Sequence, residues 1–218
     1  MQKETTLFEK YLQQAVTWIV THQERFWAVT GLTAFAIAFG FFIVHHHQLE
    51  NEAAWNQLGT IQGELMQNRA DAAGKDMQQW EQRFQTSGAV SYAKFLKADL
   101  LYRTSDYTQA ATVYGDLAQT ARPVDIQPLA LAAQSSAEEM AGHYPQALAL
   151  AQTFTDKYPD HFLTAPMYMS QARLLELLGH AAEAAAIYDR FVILYPQSPW
   201  TPLARAREQA LTGKAPSP

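Results

Sequence analysis

Histidines and neighbouring carboxylates are the residues here most able to hold a metal or move a proton. The chain has 7 His and 21 Asp+Glu among 218 residues. His45, His46 and His47 are consecutive. Adjacent helical residues point about 100° apart, so one helix cannot wrap all three around an ion; useful helical ligand pairs sit at i, i+4. The three read instead as a polar collar beside the apolar run that precedes them. His143 and His180 lie 37 residues apart, as equivalent turn positions of a repeat rather than as a pair. Glu138 and Glu139 are neighbours, and on a helix one is solvated while the other turns toward a groove. No HExxH, GxSxG, Walker loop or GxGxxG occurs. Cysteine is absent, which removes disulfides, thiolate metal sites and a cysteine nucleophile. The expectation is a chain that is not an enzyme and uses no cofactor or metal.

The elements that carry these residues follow from composition and periodicity. Apolar residues make up 48% and charged residues 17%, too much core material for a disordered chain. Net charge is −5, and beyond residue 47 there are 13 Lys+Arg against 18 Asp+Glu. Without a basic face, nucleic acid is not an expected partner.

Three windows align without gaps: ADLLYRTSDYTQAATVYGDLAQTARP (Ala98–Pro123), SSAEEMAGHYPQALALAQTFTDKYP (Ser135–Pro159) and ARLLELLGHAAEAAAIYDRFVILYP (Ala172–Pro196). Ala110, Ala147 and Ala184 are spaced 37 apart, as are Ser105, Gly142 and Gly179, and Ala98, Ser135 and Ala172. Small residues at the last set let a partner helix approach closely. Gly142 and Gly179 suit the left-handed backbone that ends a helix. Ser105 departs from that pattern and, with Asp106, reads as the N-cap of the next helix. Tyr114, Ala151 and Tyr188 follow the alanines by four residues, on the same face. Tyr158-Pro159 and Tyr195-Pro196 close two windows, because proline cannot continue the helix. Ser198-Pro199 supplies an N-cap and an N1 proline for a final helix over about 199–211.

Upstream, Trp55, Leu58, Ile61, Leu65 and Met66 have helical spacing, as do Ala73, Met77, Trp80 and Phe84. Ala73 lies 37 residues before Ala110, so residues 48–87 form a degenerate first hairpin.

From Phe26 to Val44 the chain carries 19 residues without a charge. As a helix they span ~28 Å, close to the ~30 Å hydrocarbon core of a bilayer. A cleaved signal peptide is the rival reading. Its n-region would hold 25 residues including three acids, and the cleavage site after Val44 is poor. A signal-anchor helix over 26–47 is therefore preferred. Lys3, Lys10 and Arg25 precede the run, whereas the next basic residue after it is Arg69. That bias places residues 1–25 in the cytoplasm and the C-terminal part across the membrane, in a bacterium the periplasm. Phe8, Leu12, Ala15, Val16 and Ile19 share one face of a helix over 7–20. Two readings fit that helix: an amphipathic segment in the headgroup region, or a soluble extension of the transmembrane helix.

The 37-residue pattern resembles the tetratricopeptide repeat, a helix–turn–helix unit of about 34 residues. The three extra residues would lengthen the connection between repeats. The large aromatic early in the first helix is absent as tryptophan; Tyr92 and Phe95 fill that role in the first window and Tyr168 in the third. The expected fold is all-α: an N-terminal transmembrane helix plus a tetratricopeptide-like helical-hairpin solenoid. Residues 88–212 would hold three repeats and a capping helix, and residues 213–218 a flexible tail. In that family, ligand contacts cluster on the first helices of successive repeats. The matching positions are Tyr92, Phe95, Asp99, Tyr102, Arg103, Glu139, Met140, Arg173 and Glu176. Solvent-facing or inter-repeat packing roles compete at each. The family's lysine and asparagine clamp for a C-terminal carboxylate is absent.

The layout as a whole resembles the ancillary subunit of the bacterial Sec translocon. That implies a single-pass inner-membrane scaffold that helps hand translocated proteins to periplasmic chaperones, with proteins or peptides as partners. The YPQSPW stretch also resembles periplasmic repeat proteins of envelope assembly and cell-division coordination. A third reading is a structural subunit of a secretion or pilus machine.

Overall fold

The computed structural model describes residues 7–213, with side chains from Glu9 onward. Lys3, the side chain of Phe8, and the tail beyond Gly213 lie outside the described residues. Every described element is an α-helix: α1 (Leu7–Thr21), α2 (Gln23–Met66), α3 (Ala70–Arg83), α4 (Val90–Arg103), α5 (Tyr107–Thr120), α6 (Ile126–Met140), α7 (Tyr144–Lys157), α8 (Thr164–Leu177), α9 (Ala181–Leu194) and α10 (Thr201–Thr212). The chain divides into two compact units, residues 1–52 and 53–218, with the boundary inside α2.

In the first unit, α2 carries an apolar 18-residue window that is long enough to cross a membrane and has none of its residues buried. Large side chains such as Leu32, Phe35, Phe39 and Phe41 are exposed along it. Its hydroxyl at Thr33 donates to the Val29 carbonyl at 2.8 Å, so that polar group is satisfied inside the helix.

In the second unit the 37-residue period holds over four hairpins. The first helices end at Met66, Arg103, Met140 and Leu177, and the second helices start at Ala70, Tyr107, Tyr144 and Ala181. At the turn inside each hairpin, Asn68, Ser105, Gly142 and Gly179 take positive φ of 58°, 67°, 82° and 79°. The residue after each donates its N–H five residues back, as Arg69 to Glu64, Asp106 to Leu101, His143 to Glu138 and His180 to Leu175. This is the closing bond of a Schellman motif, which satisfies carbonyls left open at a helix end. Ser105 is thus no departure in backbone: it holds the left-handed position, and Asp106 alone is the N-cap, accepting from the Gln109 N–H at 3.4 Å. The sequence pattern hides this because serine resists positive φ where glycine does not.

Three of the four connections that follow the second helices share one turn, and the connection after α5, with its cis Arg122-Pro123 bond, departs from it. Ser87, His161 and Ser198 donate N–H groups to Phe84, Tyr158 and Tyr195, and Thr164 and Thr201 hydroxyls donate to the Tyr158 and Tyr195 carbonyls at 2.7 and 2.6 Å. That last bond corrects the start of the final helix. α10 begins at Thr201, not near Pro199, because Thr201 is needed to close the turn, and Pro202 rather than Pro199 lies in its first turn.

Ala73, Ala110, Ala147 and Ala184 are fully buried, as are Ala98 and Ala172, with Ser135 nearly so. Ser135 donates to the Ala147 carbonyl at 2.8 Å, tying α6 to α7. The first hairpin differs, since Ile61 stands where the others have Ala or Ser. Its helices approach less closely than those of the later hairpins, and Trp80 bridges them by donating to the Ala54 carbonyl at 2.9 Å. Behind the alanines lie Met77, Tyr114 and Tyr188, then Trp80, Leu117, Phe154 and Phe191, all buried. At the end of the stack, the positions of buried Tyr168, Ala172 and Leu175 on α8 become Arg205, Gln209 and Thr212 on α10. α10 therefore packs inward through Thr201 and Ala204 and turns polar residues outward, as a terminal repeat element must.

Candidate functional site

The register that aligns the hairpins also aligns their exposed side chains. Trp55, Tyr92, Leu129, Pro166 and Leu203 occupy one equivalent position on five successive first helices, and none is buried. Between the first three of these helices lies a cavity of about 330 Å³, walled by Trp55, Leu58, Tyr92, Phe95, Ile126 and Leu129. The Trp55 and Tyr92 rings meet edge to face at 4.8 Å, and Phe95 meets Tyr114 at 5.3 Å. Such pairs fix ring orientation as well as burying area. Gly59 also lines the cavity, and a Cβ placed there would meet nothing within 4 Å. The missing side chain is part of the opening.

Gln62 and Asp99 are the polar groups of the lining. The Tyr114 hydroxyl donates to Asp99 Oδ1 in a short bond. Burial pushes the Asp99 carboxyl above its usual range, against the lowering effects of the Tyr114 bond and the Arg103 charge. Tyr114 is pushed well above the usual phenol range by burial and by its bond to Asp99. Asp99 is therefore committed to its own chain on one oxygen.

The nine positions expected from the sequence separate into groups. Tyr92, Phe95 and Asp99 line the cavity. Tyr102 lies one turn on, edge to face with Tyr107 at 5.2 Å, and Arg103 Nη1 donates to the Leu65 carbonyl at 3.5 Å. Glu139 and Arg173 pair with each other across α6 and α8, with Nη2 to Oε2 at 2.9 Å. Glu176 accepts from Tyr188 at 2.7 Å and from Arg207 Nε at 3.2 Å. That contact helps push Tyr188 up to about 12, after burial, which is the larger cause. Met140 is half exposed. Arg103, Glu139, Arg173 and Glu176 thus join successive hairpins, while Tyr92, Phe95 and Asp99 meet at an opening.

Trp55, Leu58, Gly59, Ile126 and Leu129 were not among the expected positions. The signal existed: Trp55 lies 37 residues before Tyr92 and Leu129 lies 37 after it. Among the described residues, no three His, Asp or Glu side chains gather as a metal site.

Residues 132–199, from within α6 to the turn before α10, match the tetratricopeptide repeat family model. No curated protein matches the chain. The matched segment takes in two of the four hairpins, and the same turns and spacing continue through the other two. An all-helical, tetratricopeptide-like architecture of this kind is a protein-interaction scaffold.

Proposed function

We propose that this chain is a membrane-anchored interaction scaffold, without catalysis of its own, that holds apolar segments of partner proteins against its first helices. The observation that carries the reading is the open cavity framed by Trp55 on α2, Tyr92 and Phe95 on α4, and Leu129 on α6, from three successive hairpins. Its volume sits near the lower end of ligand pockets, enough for one or two large apolar side chains. Its aromatic walls are the residue types that concentrate binding energy in interfaces.

The anchor is the apolar part of α2, supported by its length, its composition and its unburied side chains. The basic residues Lys10 and Arg25 before it, and their absence after it until Arg69, support a cytoplasmic N-terminus and a periplasmic repeat region. A role beside the Sec translocon, passing secreted chains to chaperones, is supported by this layout. A photoreactive amino acid at Tyr92 or Leu129, in cells producing the full chain, tests both levels. Crosslinks to partner proteins should form from these positions and not from exposed Gln152 on α7. Equal yields from Gln152 would overturn the cavity as the site. Recovery of translocon subunits supports the translocon role, and exclusive recovery of outer-membrane or division proteins would sink it. A reporter fused after Pro218 that works only in the cytoplasm would overturn the orientation.

A further inference from the structure

We infer that α1 is a second membrane contact: a helix that lies along the bilayer surface and settles its apolar face among the lipid headgroups and upper acyl chains. The inference rests on the reading of α2 as a membrane anchor. Around α1, the residues Trp18, Tyr11, Ala15, Ile19, Leu12 and Val16 follow one another within an arc of about 160°. Gln13, Thr17, Lys10, Thr21 and Gln14 fill the opposite arc of about 100°. Val20 and Glu9 stand at the border.

The apolar arc is wider than the narrow seam by which one helix zips onto another. It is also bare: Tyr11, Leu12, Val16 and Trp18 are each about half exposed or more. Two hydroxyls of the polar arc are satisfied within the helix, Thr17 and Thr21 donating to the Gln13 and Thr17 carbonyls at 2.8 and 2.7 Å. Trp18 stacks on His22 at 5.3 Å, at the end of α1 that joins α2. Tyr11 and Trp18 have the mixed apolar and polar rings that collect at membrane–water boundaries.

Lipid is the occupant that the connectivity favours. His22 is the single residue between α1 and α2, so an anchored α2 holds α1 at the bilayer and makes its binding an intramolecular event. The polar arc carries one cation, Lys10. Contact is therefore driven by apolar area, and anionic lipid is not required.

The chain contains no cysteine, so single cysteines can report depth in the full protein without other changes. Leu12→Cys, Val16→Cys, Gln13→Cys and Thr17→Cys, each carrying an environment-sensitive fluorophore, are compared in phosphatidylcholine vesicles. Ala36→Cys in α2 reports the anchor. The expected result is several-fold weaker quenching by an aqueous quencher at positions 12 and 16 than at 13 and 17. Adding phosphatidylglycerol should leave that ratio unchanged. Equal quenching at all four positions, with position 36 protected, overturns the surface contact and leaves the anchor standing. Quenching at position 36 equal to that at 13 overturns both. Efficient disulfide dimers of unlabelled Val16→Cys in the vesicles would mean that a second copy covers the face, which also overturns the inference.

Discussion

Gly59 offers a way to separate folding from binding. It sits inside α2, where glycine costs about 1 kcal/mol relative to alanine. No compensating close approach exists, because a Cβ there meets only the open cavity. Gly59→Ala should therefore stabilise the repeat region by about 1 kcal/mol, a rise of roughly 2–4 °C in melting temperature. Gly59→Phe should keep about half of that gain, since phenylalanine is a poorer helix former, and its ring would fill the space between Trp55 and Leu96. A partner side chain excluded from the cavity forfeits about 2–3 kcal/mol. That is a roughly 30- to 150-fold loss of affinity. Urea unfolding of the full chain in detergent, followed by circular dichroism, reads the first quantity. Titration with the protein recovered by crosslinking from Tyr92 reads the second. A Gly59→Phe chain that loses more than about 1 kcal/mol would refute the claim that the space is open. One that keeps both stability and affinity would refute the cavity as the site.

Three further outcomes follow from the same geometry. Ser105→Gly relieves a left-handed serine and should stabilise by about 0.5 kcal/mol, the strain removed exceeding the entropy added; a loss in urea midpoint would count against the shared turn. Ala147→Leu, at a fully buried helix crossing, should cost about 2–3 kcal/mol in the same assay; a neutral result would mean that α6 and α7 can part. Tyr188, raised from 10.0 to about 12 in the folded chain, holds its proton more tightly there than when unfolded. Stability should fall as pH rises from 10.0 towards 12. Tyr188→Phe should flatten that fall, and an unchanged slope in pH-resolved unfolding would show that burial and the Glu176 bond together do not hold the proton.

The helix–turn–helix alternation of the repeats is legible in the sequence because it follows local rules, a small residue at the crossing and a left-handed turn between the helices. Ser105 and Asn68 do not signal this turn by residue type as glycine does, whereas the closing backbone bond is independent of the side chain. The start of α10 is hidden for a related reason. Ser198-Pro199 looks like a cap locally, but Thr201 is claimed by the preceding Tyr195 carbonyl. At the site, the aromatic residues of α4 were found by helix position, while Trp55 and Leu129 required carrying the register into hairpins with weaker internal likeness. The fate of Glu139, Arg173 and Glu176 could not be read from their spacing. Whether a charge faces solvent or a neighbouring hairpin depends on how successive first helices are stacked.

The polar outer side of α10 bears on how many copies can associate. A hairpin stack whose last helix stayed apolar would accept the first hairpin of another molecule, and repetition of that contact would grow a fibre without end. Arg205, Gln209 and Thr212 deny that acceptor at one terminus. End-to-end growth through α10 would have to bury the Arg205 charge and the polar ends of Gln209 and Thr212, so the outer side of this helix works against a fibre.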